Sequence, residues 1–145
     1  MKKILYSLFL FASVSVFAQK DLSTKFAIAD GNVGTVAMFE ARKAWVQSIN
    51  VLKNPAALTE DLKKYSFLAE NGLATVKFKK SYGTLDFISL NSLNKQSGIS
   101  PETPVFIDGY EFTDTKINIF ADLMAKSEIK DYNGKKTLFI TSIKK

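Results

Sequence analysis

Two turn signals occur twice in this chain, in the same order, and they mark where its strands must end. The first copy runs from Ile28-Ala29-Asp30-Gly31 to Asn71-Gly72, followed by Leu73 to Phe78 and the pair Lys79-Lys80. The second runs from Phe106-Ile107-Asp108-Gly109 to Asn133-Gly134, followed by Thr137 to Ile143 and the pair Lys144-Lys145. Asp-Gly and Asn-Gly suit tight turns because these residues accept positive φ at little steric cost. An apolar run stopped by such a pair reads as a strand. The repeat predicts an α/β (α+β) chain of two related strand-helix-strand-strand halves, about 26–83 and 104–145, whose small mixed sheets are packed by helices.

Between these signals the periodicity changes. Val36 to Lys43 holds good helix formers, whereas Trp45 to Lys53 puts Trp45, Ile49 and Val51 on one face, as in a strand. After Asn54-Pro55, the residues Leu58, Leu62, Tyr65 and Ala69 keep the spacing of an α-helix. With Thr59 as N-cap and Asn71-Gly72 as the stop, this is the longest predicted helix. Thr84 to Leu90 fits strand or helix. Ser92 to Gln96 fits a short helix closed by Gly98, with Ile99 placed for a Schellman contact. The passage Ser100-Pro101-Glu102-Thr103-Pro104 is too short for a flexible linker, so a single domain over 19–145 is expected. Beyond it, Thr113-Asp114 is expected to cap a helix with Ile117, Phe120, Ala121 and Met124 inward, and Ser127 to Asp131 to form a short strand. The last strand is apolar on both faces, as expected of one inside a sheet and covered from both sides.

The chain opens Met1-Lys2-Lys3, runs apolar from Ile4 to Phe17, and reaches Val16-Phe17-Ala18. These are the parts of a secretory signal peptide, residues 1–18. The run is shorter than the roughly 20 apolar residues of a membrane span, and no later run is longer. The expectation is therefore an exported protein with no transmembrane segment after signal cleavage. There is no Cys to carry a lipid or a disulfide, so burial has to hold the fold. The nine phenylalanines beyond the leader are the expected core anchors.

The net charge of +6 comes almost wholly from Lys, with Arg42 the only Arg. Phosphate and guanine recognition favours the guanidinium fork, so Lys77 and Lys79 read as a solvated face and no nucleic-acid partner is expected. The absence of His and Cys removes Ser-His-Asp and Cys-His catalysis and the usual zinc ligand sets. No GxGxxG, Walker or GxSxG sequence occurs. Glu60-Asp61 complement the first turn of a helix, and Asp30 and Asp108 are explained by their turns rather than by a cation. The protein is expected not to be an enzyme and to need no cofactor or metal. Tyr82, Tyr110 and Phe112, in or beside turns, are the candidate contact residues; Tyr110 and Phe112 equally suit covering a sheet edge and stapling the next helix.

From Val46-Gln47-Ser48-Ile49-Asn50-Val51-Leu52-Lys53-Asn54 and Ala56-Ala57, the first half resembles the plug domain of TonB-dependent outer-membrane receptors, especially the glycan-uptake subgroup. The resemblance covers roughly residues 26 to 80, from the apolar-Asp-Gly strand end to the Lys-Lys strand end. A shorter version covers 104 to 145, through Ser127-Glu128-Ile129-Lys130 and Asn133-Gly134. It implies a plug-like α/β scaffold in the envelope of a Gram-negative bacterium, periplasmic or outer-membrane associated. A chain of this length cannot build the barrel a plug occupies, and the matching residues are strand ends and turns, so neither transport nor any functional residue is implied. The expected role is docking through sheet edges and Asp-Gly turn loops onto an outer-membrane or periplasmic protein partner. The alternative is a periplasmic binder of a small molecule, glycan or polyanion, using Tyr82, Tyr110 and the Lys-bearing strand.

Overall fold

The computed structural model describes residues 24–80 and 85–143; the predicted leader and Tyr82 lie outside them. The described strands are β1 (Phe26–Ala29), β2 (Asn32–Thr35), β3 (Val46–Leu52), β4 (Leu73–Phe78) and β5 (Phe87–Ser89), then β6 (Val105–Ile107), β7 (Tyr110–Phe112), β8 (Asn118–Phe120), β9 (Met124–Tyr132) and β10 (Lys135–Ser142). Helices are short: α1 (Val36–Glu40), α2 (Leu90–Gln96), and 3-10 segments at Lys43–Trp45, Pro55–Ala57, Glu60–Leu68 and Ala121–Leu123. The fold is mixed α+β, with a six-stranded sheet ordered β3-β4-β1-β2-β8-β5 and a four-stranded sheet ordered β7-β6-β10-β9. No helix among the described residues is long and apolar enough to cross a membrane.

The repeated turn signals build matching pieces of these sheets. Asp30-Gly31 and Asp108-Gly109 close two-residue hairpins, β1–β2 and β6–β7, with positive φ at all four residues. In each half a later strand then lies parallel to the first one, β4 beside β1 and β10 beside β6. A further strand pairs antiparallel on its far side, β3 on β4 and β9 on β10. Thus β3-β4-β1-β2 and β9-β10-β6-β7 share one order and one set of directions. Asn133-Gly134 makes the two-residue β9–β10 turn, whereas Gly72, at φ +94°, admits the close approach of the Thr24 hydroxyl and the Leu52 carbonyl before β4. The Schellman cap forms at α2: Ile99 N donates to the Asn94 carbonyl at 2.8 Å and Gly98 N to Lys95 at 3.2 Å.

One hydrophobic cluster draws on both sheets, with Phe26 and Ile28 from one and Ile107, Phe112 and Ile140 from the other. Phe26 meets Tyr110 and Phe112 edge-on at 5.1 and 6.0 Å between ring centres, so its ring is a principal contact between the halves. Phe39 and Phe120 pack the same way at 5.7 Å.

Several sequence expectations are corrected. The segment 113–124 is not an α-helix; it holds strand β8 and one 3-10 turn at Ala121–Leu123. Thr115, Ile117 and Ile119 are all buried, an alternation of β-branched residues that outweighs the looser helical spacing of Ile117, Phe120 and Met124. The chain crosses to the larger sheet there, and β8 pairs parallel with β2 and antiparallel with β5. The segment after Thr59 winds as a 3-10 helix, because Leu62, Tyr65 and Leu68 fall in line at three residues per turn and all face the core. Thr59 bonds its hydroxyl to Asp61 rather than capping a backbone amide. Strand β10 does sit inside its sheet, and its cover is unequal: Leu138, Ile140 and Ser142 are buried on one face, while on the other Thr137 is buried, Phe139 half-buried and Thr141 exposed. Of the expected aromatic anchors, Phe26, Phe39, Phe112 and Phe120 are buried, whereas Phe67 and Phe87 are exposed.

Candidate functional site

The order of each sheet decides which backbone remains open. Among the described residues four strands stand at sheet edges: β3, β5, β7 and β9. Edges β5 and β7 are three residues long, too short to template much pairing. Edges β3 and β9 are seven and nine residues long, and they occupy equivalent places in the two halves.

Strand β3 carries no charge, and all five residues from Gln47 to Val51 are exposed. Ile49 and Val51 pair with Val76 and Ala74, both buried, and so lie on the core-facing side of the sheet. They remain 39% and 40% exposed because the core stops short of this edge. Its one irregularity is a bulge between Val46 and Ser48, at the start of the strand. Natural edges are usually guarded by Lys, Pro, an inward charge or a bulge. This one has only the bulge at its start, which leaves Ser48 to Leu52 unguarded.

Strand β9 is guarded. Lys126 and Lys130 flank Glu128 and bridge to it at 2.5 and 3.2 Å. The hydrogen bond and charge of Lys126, with those of Lys130, lower the Glu128 pKa, and Glu128 raises that of Lys126. On the same outer face Phe106 and Phe139 stack at 5.0 Å, Tyr132 packs edge-on to both, and the Lys130 ammonium lies 5.4 Å from the Phe139 ring centre.

The Asp-Gly loops differ in what holds them. Asp30 is exposed, and its turn is tied by the Tyr65 hydroxyl, which donates to the Gly31 carbonyl at 3.0 Å. Asp108 accepts from Ser142 N at 3.0 Å and from the Ser142 hydroxyl, and pairs with Lys25 Nζ at 2.9 Å. Burial raises its pKa, but the Ser142 and Lys25 hydrogen bonds and the Lys25 charge outweigh it and leave the pKa lowered. All its carboxylate partners belong to the protein, and the arrangement clamps β10 and the approach to β1 onto the β6–β7 turn.

Phe112, expected beside a turn, is fully buried on β7 between Phe26 and Phe67, which removes it from any contact surface. Tyr110 is half-buried on Phe26. Tyr110 on β7 and Lys77 on β4 lie in different sheets. Among the described residues no group of three or more His, Cys, Asp or Glu is placed to hold a metal. Two shallow cavities are lined by described residues. One of about 240 Å³ lies by Asp30, Phe87 and Asn118, and one of about 490 Å³ by Ile99, Glu102, Lys135 and Lys136. Every charged side chain lining them is exposed to water, so neither provides a desolvated charge for chemistry.

The residues that sequence reading missed as a site are Ile49, Val51 and Ile129, each an apolar side chain left in water at a long edge. The signal present in the sequence was the charge-free run Val46 to Leu52. No family model, characterised protein or solved structure matches this chain.

Proposed function

We propose that this chain is an exported, non-catalytic module that docks onto an outer-membrane or periplasmic protein by offering β3 as the acceptor for a strand of that partner. The observation that carries the reading is the β3 edge itself, seven residues long, uncharged, and showing Ile49 and Val51. Strand addition takes its affinity from the open backbone ladder and its specificity from alternate side chains. An unguarded edge of this length is a hazard unless a partner covers it. The same stretch carries the plug resemblance, and the signal-peptide pattern of residues 1–18 supports an envelope location.

Gentle crosslinking in intact envelopes should recover one stoichiometric protein partner. Ile49→Lys or Val51→Lys should abolish that recovery while leaving the circular dichroism spectrum unchanged, since both side chains are already partly in water. Recovery of no partner, or recovery indifferent to both substitutions, would refute the reading.

A further inference from the structure

Strand β9 ends its sheet, so among the described residues its far side has no ladder partner. From Lys126 to Tyr132 it pairs with β10 without a break, the only irregularity falling beside Ala125. Lys126, Glu128, Lys130 and Tyr132 therefore share the outer face, and Ser127, Ile129 and Asp131 the inner one. Ile129 lies opposite the buried Leu138, yet it is 50% exposed.

We propose that this edge is a homodimerisation strand: two copies pair antiparallel through β9 about a two-fold axis at Ile129, making one sheet continuous across both. The order of charges carries the inference. With Ile129 on Ile129 of the second copy, Glu128 falls opposite Lys130 and Lys130 opposite Glu128. Lys126 falls opposite the ring of Tyr132, and Ser127 opposite Asp131. Opposite charges facing each other across strands are favourable, and like charges are not.

Neighbouring registers fail this test. Centred on Glu128, the pairing sets Glu128 on Glu128 and Lys126 on Lys130. Centred on Lys130, it sets Lys130 on Lys130. Centred on Ser127, it matches Lys126 with Glu128 but brings the irregularity beside Ala125 into the ladder and sets Ile129 on Ala125. An uncharged strand such as β3 adds no cross-strand charge pair to Lys126, Glu128 and Lys130, so the charge order favours a second β9 over β3. Self-pairing through β9 thus leaves β3 free and stands apart from the partner reading.

Pairing of one short strand per copy buries less than the roughly 1,000 Å² of a stable interface, so the dimer is weak and concentration-dependent. Sedimentation velocity on the purified full chain should show the mass doubling as concentration rises from low to high micromolar. Glu128→Lys and Lys130→Glu should each remain monomeric throughout, because each sets like charges face to face twice. Mixed in equal amounts, the two variants should restore the dimer, since every facing pair is then opposite in sign. Unchanged circular dichroism shows that both fold. A wild-type chain monomeric at the highest concentration overturns the proposal, as does a dimer indifferent to both reversals, or a mixture that stays monomeric. A dimer broken by Lys126→Glu but not by Lys130→Glu overturns the register.

Discussion

The two Asp-Gly hairpins share a turn, a backbone conformation and a neighbouring parallel strand, yet they are locked by different means. Asp30 and Asp108 have φ of 51° and 50°, and each starts a two-residue loop between the first two strands of its half. Along the parallel partner, the ladders align Thr75 of β4 with Phe139 of β10, because each lies opposite the residue two before its Asp. Three residues on, Phe78 stands where the other half has Ser142. A serine offers its hydroxyl and amide to Asp108. A phenylalanine side chain has no hydroxyl to offer, and Phe78 instead packs on Phe39 and Phe120. Asp30 is left to water and Tyr65 holds that loop through the Gly31 carbonyl. A shared turn therefore sets the backbone, and the residue facing it decides whether the Asp becomes a tie between segments.

The largest effect tests the ring that joins the halves. Phe26→Ala should cost about 3–5 kcal/mol, read as a lower denaturant midpoint, because its fully buried ring touches Tyr110 and Phe112 of the other half. A small cost would mean that the halves are held together elsewhere.

The next pair isolates the aspartates, since Asn keeps the turn preference while removing the charge. Asp108→Asn should cost about 1–3 kcal/mol, from charged hydrogen bonds to a largely buried carboxylate. Lys25 is too exposed to add much. Asp30→Asn should fall within about 0.5 kcal/mol of wild type. Equal costs would erase the distinction between the turns.

The same contrast appears in acid. The folded-state pKa of Asp108 lies below its unfolded value near 3.8, so its contribution is fully present above that value and is lost as pH falls through the folded-state pKa. Acid titrations of wild type and Asp108→Asn should therefore converge as pH falls through this window. Parallel curves would show that Asp108 is not the linked group. A modest effect concerns the first turn's own lock: Tyr65→Phe should cost about 1 kcal/mol, for one hydrogen bond at a half-buried carbonyl, more than Asp30→Asn in the same turn.

Legibility in the sequence followed the range of the interactions. The turns at Asp30-Gly31, Asp108-Gly109 and Asn133-Gly134 and the cap at Gly98-Ile99 were readable because their geometry depends on the φ preference of one or two residues. Strands β3, β4 and β10 were readable from alternation or from the turns that bound them. The segment 113–124 was not, because Ile117, Ile119, Phe120 and Leu123 satisfy parts of two periodicities. Only the slot beside β2 selects one of them. The expected contact residue Phe112 went wrong for a related reason: closeness to a turn places a residue in the chain but not in or out of the core.

By itself, then, the order of residues determined where the chain turns, that its halves begin with matching hairpins, and that no imidazole or thiol is present for chemistry. Tertiary structure alone decided which strands became edges, and so which apolar side chains stayed in water. That outcome belongs to no single strand, because an edge is defined by the absence of a neighbour. Ile49, Val51 and Ile129 would read as ordinary core residues in any strand flanked on both sides; they face water because β3 and β9 are the last in their sheets.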